Sequence, residues 1–269
     1  MKKYLNLILR KILSSRGLDI TSKTIIELHD VYSYVEKQRE LNIFELFLEK
    51  VVASLNEKNQ DPFFMQIGAN DGVYDDNFNR CIKEFNLKGI LVEPLPELFE
   101  KLKLNYKDYA DTLIFENVAI ASDEQKEIQL YTFDKQDEGE LVRLDVFTTS
   151  DKARLEKVKK NLNLQANIIN LTLPATSIES LLNKHNVNSL PIIIIDTEGY
   201  DFEILKQINF DKYQPLIIQF EHCNLTPKTR LECYQYMSKK GYNLYLSWKD
   251  TIAVLPKEKF DAEIEETDG

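Results

Sequence analysis

A chain of 269 residues that is 43% hydrophobic, 29% charged and 10% aromatic has the make-up of a globular protein able to bury one large core, or one core plus a helical extension. Its formal net charge of -10 argues against a general nucleic-acid binder, which needs a positive surface to meet phosphates. Cys81, Cys223 and Cys233 share no metal-ligand spacing, and an odd number of cysteines argues against a disulfide framework, so a reduced, cytoplasmic setting is expected.

The first sixteen residues are basic and amphipathic. Lys2, Lys3, Arg10, Lys11 and Arg16 interleave with Leu5, Ile8, Leu9, Ile12 and Leu13, and Arg10-Lys11 interrupts the apolar centre that a signal peptide requires. No run approaches the roughly 18 apolar residues of a membrane span. The segment reads either as a helix packed on the domain or on a second subunit in a homodimer, or as a peripheral helix on a membrane surface. Ile25-Ile26, Leu28, Val31-Tyr32, Val35, Ile43-Phe44, Phe47-Leu48 and Val51-Val52 recur at three and four, which predicts helix from Thr24 to about Lys58. Residues 1–60 are therefore expected to form a helical extension.

After a polar break from Asn56 to Pro62, strands and helices alternate. A strand begins at Phe63, a helix is predicted from Asp76 to Phe85, a strand from Gly89 to Glu93, a helix from Glu97 to Tyr109 and a strand from Leu113 to Ile120. Such alternation builds a parallel sheet through right-handed crossovers, hence an α/β fold. Glu127 to Phe133 alternates like an exposed strand, Asp134 to Asn163 reads as polar and irregular, and Asn167 to Leu173 reads as a strand before a helix from Ser177. Four consecutive isoleucines after Pro191 demand a central strand covered on both faces. A helix from Asp201 to Ile208, a strand from Leu216 to Phe220, a helix from Pro227 to Lys240 and a hairpin of Tyr242–Ser247 with Thr251–Leu255 complete a domain spanning 61–256, followed by an acidic tail at 257–269.

Two constellations carry chemistry. The first is the turn Gly68-Ala69-Asn70-Asp71-Gly72 together with Glu93 at the end of the next strand. An acid at a strand tip beyond a glycine turn accepts both hydroxyls of an adenosine ribose, and glycines let a ligand approach bare backbone. The turn lacks the G-x-G-x-x-G spacing of nicotinamide and flavin binders, and a plain tight turn is the competing reading. Gly68 and Gly72 are read as clearing space for a carboxyl-bearing ligand tail. Asn70 and Asp71 are read as fixing the turn, with Asp71 also meeting a ligand amino group. Asn117, Val118 and Ala119 at the next strand end suit an adenine ring lying against backbone.

The second is Asp196-Thr197-Glu198-Gly199 with Glu221-His222. Asp196 ends the isoleucine strand, and a buried carboxylate there needs a partner: protein, ligand amine or metal. Glu198 is a ligand for that site or a cap for the following helix. Glu221 and His222 are expected to face the same cleft, neutral His222 accepting a hydroxyl proton and Glu221 orienting it. Asp196, Glu198, Glu221 and His222 also form a donor set for a divalent cation such as magnesium. His29 and His185 read as incidental.

In order along the chain these residues resemble the FkbM family of S-adenosylmethionine-dependent methyltransferases, from about Phe63 to Leu255. The resemblance runs through Ile67-Gly68-Ala69-Asn70-Asp71-Gly72, Val92-Glu93-Pro94-Leu95-Pro96 with Leu102 and Asn105, Asn117-Val118-Ala119-Ile120, Ile195-Asp196-Thr197-Glu198-Gly199-Tyr200 and Glu221-His222. Gln66 stands where many members carry an acid, and Ile194 replaces a usual lysine. The resemblance implies a Rossmann-like seven-stranded sheet, mostly parallel with the last strand antiparallel. It implies S-adenosylmethionine as donor, S-adenosylhomocysteine as product, and O-methylation of sugars, capsule-type surface-polysaccharide precursors or natural products. The expected partner is then a small sugar or nucleotide-linked acceptor, with His222 or Asp196 as base. Residues 134–165 become an acceptor-recognition insert in which Arg143 and Lys152 meet a phosphate or diphosphate. A phosphorylated or carboxylate acceptor, a nicotinamide-using oxidoreductase on a related sheet and a non-catalytic subunit keeping the fold are the alternatives.

Overall fold

The computed structural model describes residues 43–74, 76, 78–122, 124–134 and 144–256. The basic segment 1–16, most of the helix expected from Thr24, Arg143 and the acidic tail lie outside the described residues. The chain divides into two compact units, Met1–Leu46 and Phe47–Gly269. The boundary falls inside helix α1 (Ile43–Glu57). From Phe47 on, this helix belongs to the larger unit and buries Leu48, Val51, Val52 and Leu55.

Beyond it come β1 (Phe64–Ile67), α2 (Phe78–Glu84), β2 (Gly89–Val92), α3 (Pro96–Asn105), β3 (Leu113–Glu116), β4 (Ala119–Ile120) and β5 (Glu127–Phe133). Then follow α4 (Lys152–Leu162), β6 (Ile168–Thr176), α5 (Ile178–Lys184), β7 (Ile192–Ile195) and α6 (Asp201–Leu205). The chain closes with β8 (Ile217–Glu221), α7 (Pro227–Lys239), β9 (Asn243–Leu246) and β10 (Asp250–Val254). Short local devices set these ends. Ser177 accepts from the Ser180 N–H at the start of α5, and Thr226 accepts from Thr229 with Pro227 in the first turn of α7.

The main sheet has the order β3-β2-β1-β7-β8-β10-β9. β1 runs parallel to β2 and β7, β2 to β3, and β7 to β8, while β10 is antiparallel to both β8 and β9. This is the Rossmann-like, mostly parallel arrangement expected, with the reversed strand wedged between β8 and β9. All residues of β1, β2 and β7 are buried, as unbroken apolar runs require when helices cover both faces. The chain leaves β1 toward β2 on one side and returns to β7 on the other. Ligand crevices form at such a reversal, beyond the strands' carboxyl ends.

Two expectations change. The run Leu113–Ile120 is not one strand: β3 belongs to the main sheet, while β4 joins a second sheet of order β4-β6-β5. The break is pinned by Asn117, whose amide donates to the Glu93 carbonyl at 2.9 Å and the Pro94 carbonyl at 3.1 Å. The stretch expected to be irregular contains α4. Asp151 caps it by accepting from the Ala153 and Arg154 N–H groups, and Asn163 ends it at φ 53°. Its apolar stripe is thin, Leu155 and Val158 meeting a small cluster of Phe133, Leu144 and Ala166, so charge hides the periodicity. Among the described residues no helix is long and apolar enough to cross a membrane.

Candidate functional site

The carboxyl ends of β1, β2, β7 and β8 carry the candidate site. The turn after β1 passes through Gly68 (φ +84°), Asn70 (φ +51°) and Gly72 (φ +71°), left-handed conformations that glycine and asparagine tolerate best. At both glycines the space a side chain would need is taken by protein. A Cβ on Gly68 would lie 1.8 Å from the Asp196 carbonyl oxygen, and one on Gly72 would lie 2.4 Å from the Tyr106 ring. The first glycine lets β1 and β7 approach at their tips, and the second lets α3 and the residue after it pack beneath the turn.

Asn70 and Asp71 fix this turn. The Asn70 side-chain oxygen accepts from the Asp71 N–H at 2.7 Å, and Asp71 Oδ1 accepts from Val73 and Tyr74 at 3.0 and 2.8 Å. Asn105 of α3 donates to the Asp71 carbonyl at 2.8 Å. Glu93, 4% exposed, spans the gap between β1 and β2: Oε2 accepts from the Asn70 N–H at 2.8 Å and Oε1 from the Leu95 N–H at 2.9 Å. Two backbone donors thus set the carboxylate plane at the tip of β2. Ala119 packs with Ala121 and Ala175, its small side chain serving the contact of β4 with β6. Gln66 donates to Asp76 Oδ2 at 3.2 Å, while its Oε1 is buried without a partner one residue short of the turn.

On the far side of β1, Asp196, Glu198 and Glu221 bring their carboxylate oxygens within 4.8 Å of one another. Asp196 is not the buried carboxylate expected, because its side chain is open to solvent at the rim. Desolvation by the groups packed around it, then the charges of Glu221, Asp201, Glu198 and Asp250, nevertheless push its carboxyl well above the ordinary range. Burial, then Glu198, pushes Glu221 up to about 7. Glu221 receives the Asn224 amide and the Cys223 thiol.

The buried acid is Asp201, fully inaccessible at the first turn of α6. It accepts from Thr197 Oγ1 at 3.0 Å, Gly199 N–H at 3.2 Å and Glu221 N–H at 3.1 Å. Burial, then Glu221, pushes its carboxyl up to about 7. Its three donors lie on both acidic segments, so it is the knot joining them.

His222 does not join the carboxylates. Successive side chains of an extended chain face opposite ways, so Glu221 meets the acidic group while the His222 ring packs edge-on against Tyr234 of α7 with Nδ1 3.0 Å from Thr251 Oγ1. The donor set for a cation is therefore three carboxylates without the imidazole. Burial, then Arg230, lowers the His222 pKa, which keeps the ring neutral at pH 7.

Arg154 was not singled out from the sequence. Its guanidinium donates to both the carbonyl and the carboxylate of Glu198, itself held at φ +56°, and Asn224 donates to that carboxylate at 2.9 Å. Thr149 Oγ1 adds a bond to the Glu198 carbonyl at 2.9 Å. No spacing rule links positions 149, 154, 198 and 224. Only the capped start of α4, Asp151 before a charged run, was there to find.

The sheet order and the acid-tipped second strand are those of a Rossmann-like methyltransferase fold. A family model described as the methyltransferase FkbM domain matches residues 66–244, and the chain belongs to that family. Among solved structures it is similar to the methyltransferase FkbM from Methylobacillus flagellatus KT at 13% identity and a TM-score of 0.46, covering 72% of this chain. The match spans 43% of that protein's length. It is also similar to the N-terminal domain of human METTL16 in complex with SAH, at 11% identity and a TM-score of 0.43, covering 80% of this chain and 68% of that one. An RNA methyltransferase from Salinibacter ruber in complex with S-adenosyl-L-homocysteine aligns at 13% identity and a TM-score of 0.33, over 77% of this chain and 89% of that one. A search of curated proteins returned no match.

Proposed function

We propose that this methyltransferase moves the methyl group of S-adenosylmethionine to a hydroxyl of a sugar or nucleotide-sugar acceptor, of the kind that feeds surface polysaccharides. The observation that carries the reading is the group of Asp196, Glu198 and Glu221 at the carboxyl ends of β7 and β8, across β1 from Glu93 at the tip of β2. Bound S-adenosylmethionine supplies a methyl already activated on a sulfonium, so the protein chiefly supplies alignment and a proton acceptor. Glu93 holds the ribose hydroxyls, with its plane fixed by Asn70 and Leu95. Asp196 is the base: it is reachable by an acceptor, and its raised carboxyl pKa brings proton affinity toward that of a working base at neutral pH. Desolvation, then Glu221, Asp201 and Glu198, keep it raised, and Asp201 also ties the two acidic segments together.

The exposed cations of α4, Lys152, Lys157 and Lys160, lie on the same helix as the cleft-facing Arg154 and support an anionic acceptor such as a sugar diphosphate. A second reading has the three carboxylates hold a divalent cation, which their mutual proximity favours. Radiolabelled methyl transfer to a panel of nucleotide sugars and free sugars tests the first reading. Transfer that chelator abolishes and magnesium restores supports the second. Calorimetric binding of S-adenosylmethionine that Glu93→Ala abolishes, with no transfer to any sugar, would reject the acceptor class and leave the donor reading in place.

A further inference from the structure

We propose that Trp248 is a stacking platform for the pyranose ring of the acceptor, an inference that rests on the sugar reading above and locates its subsite. Trp248 is the single tryptophan of the chain and is 79% exposed. It occupies the tight turn between β9 and β10, and antiparallel pairing puts this turn at the carboxyl edge of the parallel strands. Asp250, two residues on, pairs with Glu221 in register, and the Lys249 carbonyl accepts from the His222 and Cys223 N–H groups at 2.9 and 3.1 Å. The next residue, Asn224, is the one that donates to Glu198 and Glu221. The charge of Asp250 is also felt at Asp196. One short strip of backbone therefore joins the exposed indole to the acidic mouth.

The chemistry matches a sugar. A pyranose shows a face of C–H groups to an aromatic ring and a rim of hydroxyls to acceptors. An indole offers a large flat face with negative charge above it, which attracts the positive C–H edges. The exposed carboxylate of Asp196 supplies an acceptor for the rim. The indole lies outside the fold's own core, which leaves its flat face available to a ring.

As the only tryptophan, Trp248 reports on itself. Titration of the full chain with UDP-glucose, GDP-mannose and methyl glycopyranosides, excited selectively at the indole, should give a saturable change in emission. In the transfer assay Trp248→Ala should raise the acceptor KM about tenfold, with kcat within about threefold and S-adenosylmethionine affinity unchanged, and Trp248→Phe should recover part of the loss. No saturable change with any of these sugars, in protein that binds S-adenosylmethionine, overturns the platform. So does an unchanged KM in Trp248→Ala accompanied by a shift in solution mass, which would make the turn a contact between copies. Loss of S-adenosylmethionine binding in the wild-type chain would instead reject the methyl-donor reading, and the sugar titration would still decide Trp248.

Discussion

Gly68→Ala is the sharpest test of how the two halves of the site are joined. The new Cβ would sit 1.8 Å from the Asp196 carbonyl oxygen and 2.9 Å from its carbon, both main-chain atoms that no rotamer change can move. Ordinary contact requires the tips of β1 and β7 to separate by about 1.5 Å. That breaks the bond from the Asp196 N–H to the Ile67 carbonyl, now 2.9 Å, whose loss is worth about 1 kcal/mol. Alanine at φ +84° adds roughly 1–2 kcal/mol of backbone strain. The sum is about 2–3 kcal/mol, and at roughly 2–4 °C per kcal/mol for a domain of this size the melting temperature should fall by about 4–12 °C. Scanning calorimetry measures it, and transfer activity should fall further than stability because the shift is delivered to Asp196 itself. A melting temperature within about 2 °C of wild type would refute the close crossing and with it the joined site.

Asp196→Asn should lower kcat about 10²-fold while S-adenosylmethionine affinity, read by calorimetry, stays within about twofold. His222→Asn should lower the melting temperature by a few degrees yet leave kcat within about threefold, since its ring serves Tyr234 and Thr251; a hundredfold loss of kcat would return the base role to His222. Arg154→Ala removes the donor that holds the Glu198 carboxylate and the positive charge that lowers the Glu221 pKa, so the acidic group loses its fixed geometry and transfer activity at pH 7 should drop about threefold. Asp201 holds a proton in the fold up to about 7 that the unfolded chain releases near 3.8, so its stabilisation is complete below about 3.8 and is lost as pH rises through 7. Asp196 and Glu221, also raised, act in the same direction. Urea midpoints taken between about pH 4 and 8 should therefore decline less steeply in Asp201→Asn, and an equal slope in both proteins would count against the buried carboxyl.

Periodicity and strand-end chemistry are local properties, and they were readable along the chain. The isoleucine run announced a strand covered on both faces because no polar side chain interrupts it. Gly68 to Gly72 followed by Glu93 announced a strand tip joined to its neighbour because turn residues and the acid are separated by one helix. Asp196, Glu198 and Glu221 were legible for the same reason, each standing at or just beyond the end of a parallel strand. That the glycines admit Asp196 and Tyr106 was not readable, since what fills the space at a missing Cβ depends on segments more than thirty residues away.

His222 shows the limit most plainly. One residue beyond Glu221, it faces the other way, and only the position of β10 and α7 assigns it Thr251 and Tyr234 as neighbours. Arg154 reaches Glu198 across forty-four positions, and Asp201 gathers donors from Thr197, Gly199 and Glu221. A charge in such a place takes its proton affinity from burial and from distant partners. Linear order therefore names the acids and the turn, whereas folding selects which acid is buried, which cation answers it and which face each strand end presents.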